Sequence, residues 1–207
     1  DQHIDAIAGG IGIIATADRA GEGALTSTMV SGIYSYRLQI SRNLFLNAAF
    51  QATYLQRRID WDNLTFGDQI HPKYGFVNIT QERPPDKQTR GFPDFSSGIM
   101  FSHKENFYGG VAVHHMTQPN DGFYSDVSSK LYMKVTAHFG TIIDLKRRRS
   151  GARQIDDPTL SPNILYQHQQ NFQQLNYGIY VNKYPFVGGL WFRQNFENAD
   201  AFILLAG

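Results

Sequence analysis

The chain has 207 residues, with 19 Lys plus Arg against 18 Asp plus Glu, so its formal net charge is only +1. That balance argues against a nucleic-acid partner, and 42 % hydrophobic residues exclude a disordered chain. With no Cys there can be no disulfides, thiolate nucleophiles, iron–sulfur clusters or Cys-ligated zinc, and no run of 18 apolar residues offers a transmembrane helix. A mean hydropathy of -0.36 does not exclude a membrane strand, which needs only about 9 to 11 residues with alternate ones apolar.

The predicted elements are all strands. The first covers about 6 to 16. From Met29 to Ile40 one parity carries Val30, Tyr34, Tyr36, Leu38 and Ile40, and the other is mostly polar. After Ser41-Arg42-Asn43 the alternation resumes with Leu44, Leu46, Phe50 and Tyr54, predicting a hairpin. Residues 57 to 93 contain Pro72, Pro84, Pro85 and Pro93 and read as one long connection. A hairpin at 94 to 116 turns around Lys104-Glu105-Asn106, a second long connection covers 117 to 129, and a long strand covers 131 to 144. Strands at about 163 to 168, 174 to 182 and 187 to 196 follow, the last two joined by Lys183-Tyr184-Pro185, and a tenth begins at Ala201.

Short turns near 42, 105 and 184 share one rim, and the long connections 17 to 27, 57 to 93 and 117 to 129 share the other. This asymmetry predicts an all-β, antiparallel up-and-down transmembrane β-barrel, one domain over 1–207, with short turns in the periplasm and 57–93 as the main extracellular loop. Val30, Tyr34, Tyr36, Leu38, Leu44, Leu46, Phe50, Met133, Val135 and Phe139 are expected to face lipid. Phe45, Tyr108, Tyr132 and Tyr180 lie on the other parity and predict a partly filled interior. Because the chain stops inside the apolar run Phe202 to Gly207, about ten strands of a larger barrel, incomplete at both ends, are expected. The alternative is a soluble β-sandwich or barrel binding module with the apolar parity inward.

Four ordered segments carry a family resemblance: Asp94-Phe95-Ser96-Ser97-Gly98-Ile99; His114-His115-Met116-Thr117-Gln118-Pro119-Asn120; Ser161-Pro162-Asn163-Ile164-Leu165-Tyr166; and Gly189-Leu190-Trp191-Phe192-Arg193. Together they resemble the PorP/SprF family of Bacteroidota, over about Ile11 to Gly207. The resemblance implies a non-enzymatic outer-membrane barrel of the type IX secretion and gliding machinery, without a cofactor. Its partners would be outer-membrane lipid and either a periplasmic ring lipoprotein or a secreted surface adhesin. The family's N-terminal Asn-Pro-Ala segment and its last strands have no counterpart here. A porin or hydrophobic-substrate channel is the alternative from the transport class.

No chemical site stands out. His114 and His115 are neighbours on a strand and point to opposite faces, His115 towards lipid and His114 towards the lumen, so they cannot grip one ion. His138 is expected opposite Tyr108, and no Gly-x-Ser-x-Gly elbow accompanies the histidines. Thr117 to Gly122 has turn chemistry, and Ser161-Pro162-Asn163 reads as a strand start, where Pro is tolerated. Lys146, Arg147, Arg148, Arg149 and Arg153 form the only charge run and are the candidate periplasmic partner-binding residues.

Overall fold

The computed structural model describes residues 2–4, 9–21, 24–104, 106–146, 157–196 and 198–207. Its strands are β1 (Gln2–Ile4), β2 (Gly9–Ala20), β3 (Leu25–Ser41), β4 (Leu44–Ile59), β5 (Ile70–His71), β6 (Gly75–Phe76) and β7 (Thr89–His103), then β8 (Phe107–His114), β9 (Lys134–Thr141), β10 (Ile143–Asp144), β11 (Thr159–Gln169), β12 (Phe172–Lys183), β13 (Phe186–Gln194) and β14 (Ala199–Ala206). Strands β5 and β6 make a small hairpin, and all the others join one antiparallel sheet in chain order, with β10 pairing only β11. Apart from β10 and the separate β5–β6 hairpin, each strand of the sheet thus lies beside the sheet strand before it in the chain, the topology of an up-and-down barrel wall. The sheet is open, its path running from β1 to β14.

Register turns the alternation of single strands into two continuous faces. Leu38, Leu46, Phe101, Gly109, Phe139, Ile164, Tyr177, Phe192 and Phe202 are successive cross-strand partners over nine strands. A one-residue slip anywhere would move a strand's apolar set to the other face. The apolar face is exposed, with Ile13 at 79 % and Leu204 at 73 %. The buried side chains Ser31, Asp94, Ser96, Thr159 and Asn176 all lie on the polar face. There Ser31 and Thr53 share a 2.8 Å hydrogen bond, and the Gln51 amide donates to both hydroxyls at 3.2 and 3.0 Å. This polarity is the inverse of a soluble barrel and matches a wall with lipid outside and a polar lumen inside. An apolar face this broad left in water would drive association.

Glycines on the polar face make room for aromatic rings. A Cβ at Gly140 would overlap the Tyr108 ring and Asn163 Oδ1, one at Gly178 the Trp191 indole, and one at Gly189 the Tyr180 ring. Each of these rings lies on the glycine directly across the strand pair, a contact that compensates for glycine's weak strand preference.

Several expected boundaries shift. Strand β2 continues to Ala20, which pairs with Leu25, so the connection read over 17 to 27 shrinks to residues 21–24. The two long connections are 60–88 and 115–133. Met133 and Tyr132 fall in the second of these rather than on a strand face. His138 pairs with Gly110, and Tyr108 instead pairs with Gly140. Pro162 is interior to β11 and not its first residue. It lies opposite the break between β9 and β10, where the ladder to β11 is interrupted, and it keeps its place opposite Ile179 of β12. Similarly, Pro93 is inside β7, beyond the end of the β8 pairing that begins at Ser97.

Candidate functional site

The rim bearing both long connections holds the densest set of polar contacts. Asp94, on the polar face of β7, is only 6 % exposed. Its carboxylate oxygen Oδ2 lies 2.6 Å from His115 Nδ1, and Oδ1 accepts from the Thr117 hydroxyl at 3.1 Å. The backbone N–H of Met116 donates to the Phe95 carbonyl at 3.0 Å. The first two sequence motifs are therefore one structural unit.

His115 does not face lipid as strand parity predicts. Strand β8 ends at His114, and His115 has a φ of 56°, in the left-handed region, so the chain turns and the imidazole swings onto Asp94. Gln118, with a φ of 44°, completes the turn, its N–H donating to the His115 carbonyl at 3.0 Å. The two histidine rings have centroids 6.5 Å apart. Chemically, one carboxylate receives donors from His115 and Thr117; the Thr hydroxyl is bonded to the carboxylate and not to the imidazole, so this is not a nucleophile–base relay. Among the described residues no group of three or more His, Cys, Asp or Glu could hold a metal ion.

From this anchor the 115–133 connection folds inward over the polar face. The Asn120 amide oxygen accepts from the N–H groups of Gly122 at 3.0 Å and Ser129 at 3.1 Å, closing the turn. Arg90 donates to the Asn120 carbonyl at 3.4 Å, and Arg57 pairs with Asp121. Arg57 and Arg90 are direct cross-strand partners on β4 and β7, so the segment reaches across β7 to β4. Burial pushes the Asp121 carboxyl above its usual range, outweighing the opposing pull of Arg57.

The 60–88 connection is locked onto the same layer. Arg83 bridges Asp86 and Asp126 at 2.8 Å each, the Ser125 N–H donates to Asp86 at 2.7 Å, and the Tyr124 hydroxyl donates to the Arg83 carbonyl at 2.9 Å. Within the connection, Asp68 accepts from the Thr80 hydroxyl at 3.0 Å and the Gln81 N–H at 2.7 Å, and Trp61 packs on Phe66 with centroids 4.6 Å apart.

The Ser125 N–H, followed by Arg83, lowers the Asp86 pKa to about 2. A carboxylate depressed in the folded state adds stability above its unfolded pKa of about 3.8, lost as pH falls towards 2. The clasp between the two connections is therefore expected to loosen between about pH 4 and pH 2. In this Cys-free chain, a spin label on the single cysteine of Val127→Cys should gain mobility in that window, and Asp86→Asn should make it mobile at neutral pH as well.

The other motif residues lie apart from this rim. Asn163 accepts from the Tyr108 hydroxyl, across the intervening Gly140, and returns its amide to the Ser161 carbonyl at 3.0 Å. Trp191 covers Gly178, and Arg193 Nε donates to Asn176 Oδ1 at 3.2 Å. These side chains tie neighbouring strands together on the polar face. Of the basic run, Lys146 is exposed after β10, at the opposite rim; Arg147, Arg148, Arg149 and Arg153 lie outside the described residues. Sequence reasoning did not single out Arg57, Arg90, Asp121, Arg83 or Asp86 as a cluster, because the contacts Arg57–Asp121, Arg90–Asn120 and Arg83–Asp126 each join residues 30 or more apart.

No curated protein and no solved structure gives a significant match. A family model described as type IX secretion system membrane protein PorP/SprF matches residues 1–207. The all-antiparallel wall, its exposed apolar face and the match over residues 1–207 agree, and the chain belongs to the PorP/SprF family of type IX secretion system membrane proteins.

Proposed function

We propose that this chain is a non-enzymatic barrel of the outer membrane that retains a secreted adhesin at the cell surface, with its long-connection rim outward. The observation carrying this reading is the ordered loop layer and what it presents. The β5–β6 hairpin and the residues after it leave Tyr74, Phe76, Val77 and Ile79 exposed, Ile79 at 91 %. Apolar and aromatic side chains held out on a fixed scaffold are the usual anchors of a protein interface.

The test is a pull-down of the full-length protein from native membranes. Replacing Tyr74, Phe76 and Ile79 together by Ser removes anchors worth about 2 kcal/mol or more, so adhesin recovery should fall roughly 30-fold while barrel yield is unchanged. Full recovery with the triple variant sinks the surface-retention reading. A second reading, anchorage of the periplasmic ring, draws support from exposed Lys146 at the opposite rim. Changing Lys146, Arg147, Arg148, Arg149 and Arg153 to Ser should then release a periplasmic lipoprotein in a salt-sensitive manner; undiminished co-purification leaves only a solvated turn.

A further inference from the structure

The apolar face is not uniform. A groove of about 520 Å³ opens in it, lined by Ile99, Phe101, Val111, Ala137, Phe139, Ile164 and Tyr166. It exists because Ala137 contributes almost no side-chain volume between larger neighbours. A Cβ at Gly109 would come within 2.9 Å of the Phe101 ring, which leans into the space that glycine leaves. Apolar side chains line almost the whole cavity, so water gains nothing there.

The groove points towards cations. On the same face, exposed Ile143 continues the line of Phe139, and beyond β10 the chain bends out of the sheet at exposed Leu145 and Lys146, with three arginines following in the sequence. The hydrogen bond from Leu145 N–H to the Pro158 carbonyl, 3.0 Å, fixes this exit from the sheet. On the other flank Lys104 is exposed at the turn that ends β7, tied to the next turn by its N–H to the Asn43 carbonyl at 2.8 Å. Asp144, the carboxylate between Ile143 and Leu145, takes the opposite parity, paired with polar-face Thr159. From Phe139 to Lys146 is about 23 Å of extended chain, or roughly 18 Å along the membrane normal at a tilt near 40°. That is a little over half of a ~30 Å hydrocarbon core. A lipid whose headgroup sits at Lys146 therefore extends its acyl chain into the groove.

We propose that this groove and the cations at its rim hold one anionic phospholipid of the leaflet on the short-turn side, one acyl chain lying across Phe101 and Phe139, whose ring centroids are 6.5 Å apart, and the phosphate against Lys104 and Lys146. The site rests on the apolar face lying in lipid, and does not depend on which rim is extracellular or what partner binds there.

The experiment uses the full-length protein reconstituted in nanodiscs of phosphatidylethanolamine with a minor fraction of phosphatidylglycerol, released for native mass spectrometry. The wild type should retain one phosphatidylglycerol in excess of its share of the bilayer. Ala137→Phe fills the groove from the lipid side and should lower the lipid-bound fraction about tenfold. The double variant Lys104→Ser, Lys146→Ser should keep a lipid but lose the preference for phosphatidylglycerol. Ala15→Phe, on the same face at β2, is the control for added bulk and should behave as wild type. A random distribution of adducts, or equal retention by Ala137→Phe, overturns the proposal. Failure to enter nanodiscs would instead strike the membrane reading itself.

Discussion

Replacing Phe50 by Arg is expected to destabilise the protein by about 2–4 kcal/mol, and replacing its neighbour Gln51 by Arg by much less. Phe50 lies on the apolar face of β4, well inside the strand, paired with Tyr34 and Ser97 and stacked on Phe95 with ring centroids 5.7 Å apart. An arginine there must carry its charge into hydrocarbon or bend towards a distant headgroup layer. Gln51 faces the opposite way, among the Ser31 and Thr53 hydroxyls, where a guanidinium can keep hydrogen bonds and reach water. Denaturant unfolding of both variants in lipid vesicles reads the difference. Equal costs would mean that the two faces meet the same medium, and the assignment of lipid and lumen would be wrong.

Removing the carboxylate of Asp94 is the second large effect. In Asp94→Ala, His115 and Thr117 lose their common acceptor at a site where Asp94 itself is buried. Hydrogen bonds to charged groups contribute about 1.5–3 kcal/mol each, but His115 keeps 30 % of its side chain exposed and can turn to water. The expected net cost is about 2–3 kcal/mol, concentrated on the 115–133 connection. The left-handed backbone at His115 is held in place by this contact, so its loss should free the whole inward fold. Protease cleavage within 115–133 should become rapid in Asp94→Ala and remain slow in Asp94→Asn, which keeps an acceptor. If both variants resist cleavage as the wild type does, the carboxylate is not what holds the segment.

Strands with strict alternation were legible from the sequence because one side of each meets lipid and the other a polar interior. The pairs Met29–Ile40 and Leu44–Leu55 lie within β3 and β4 for that reason. What local pattern could not carry was any decision made by a partner strand. Asp18, Arg19 and Ala20 look like a loop in isolation, yet pair because β3 offers Ser27, Thr26 and Leu25 opposite them. Strand parity places His115 on the wrong side because parity holds only while the backbone stays extended, and one left-handed residue resets it. The clasp of Arg83, Asp86 and Asp126 joins residues up to 43 apart, and no periodicity encodes that distance. By contrast, the four motifs pointed to residues with definite work in the fold: Asp94 with His115 and Thr117, Asn163 with Tyr108, Trp191 over Gly178.

The rings that rest on Gly140, Gly178 and Gly189 bear on how far side chains reach from the polar face. Counting aromatics on the inner parity predicts obstruction, as though each ring stood upright like a post. Tyr108, Trp191 and Tyr180 instead lean onto the glycines opposite them, Tyr180 and Trp191 meeting edge to face at 66°, and the Arg37 guanidinium lies 4.4 Å from the centre of the Phe45 ring. A ring lying along the wall adds less to its thickness than one standing away from it. On this face the glycine notches take up part of the bulk of the large rings, and at the long-connection rim the polar face is covered by the 115–133 segment, which reaches from the end of β8 across β7 to β4.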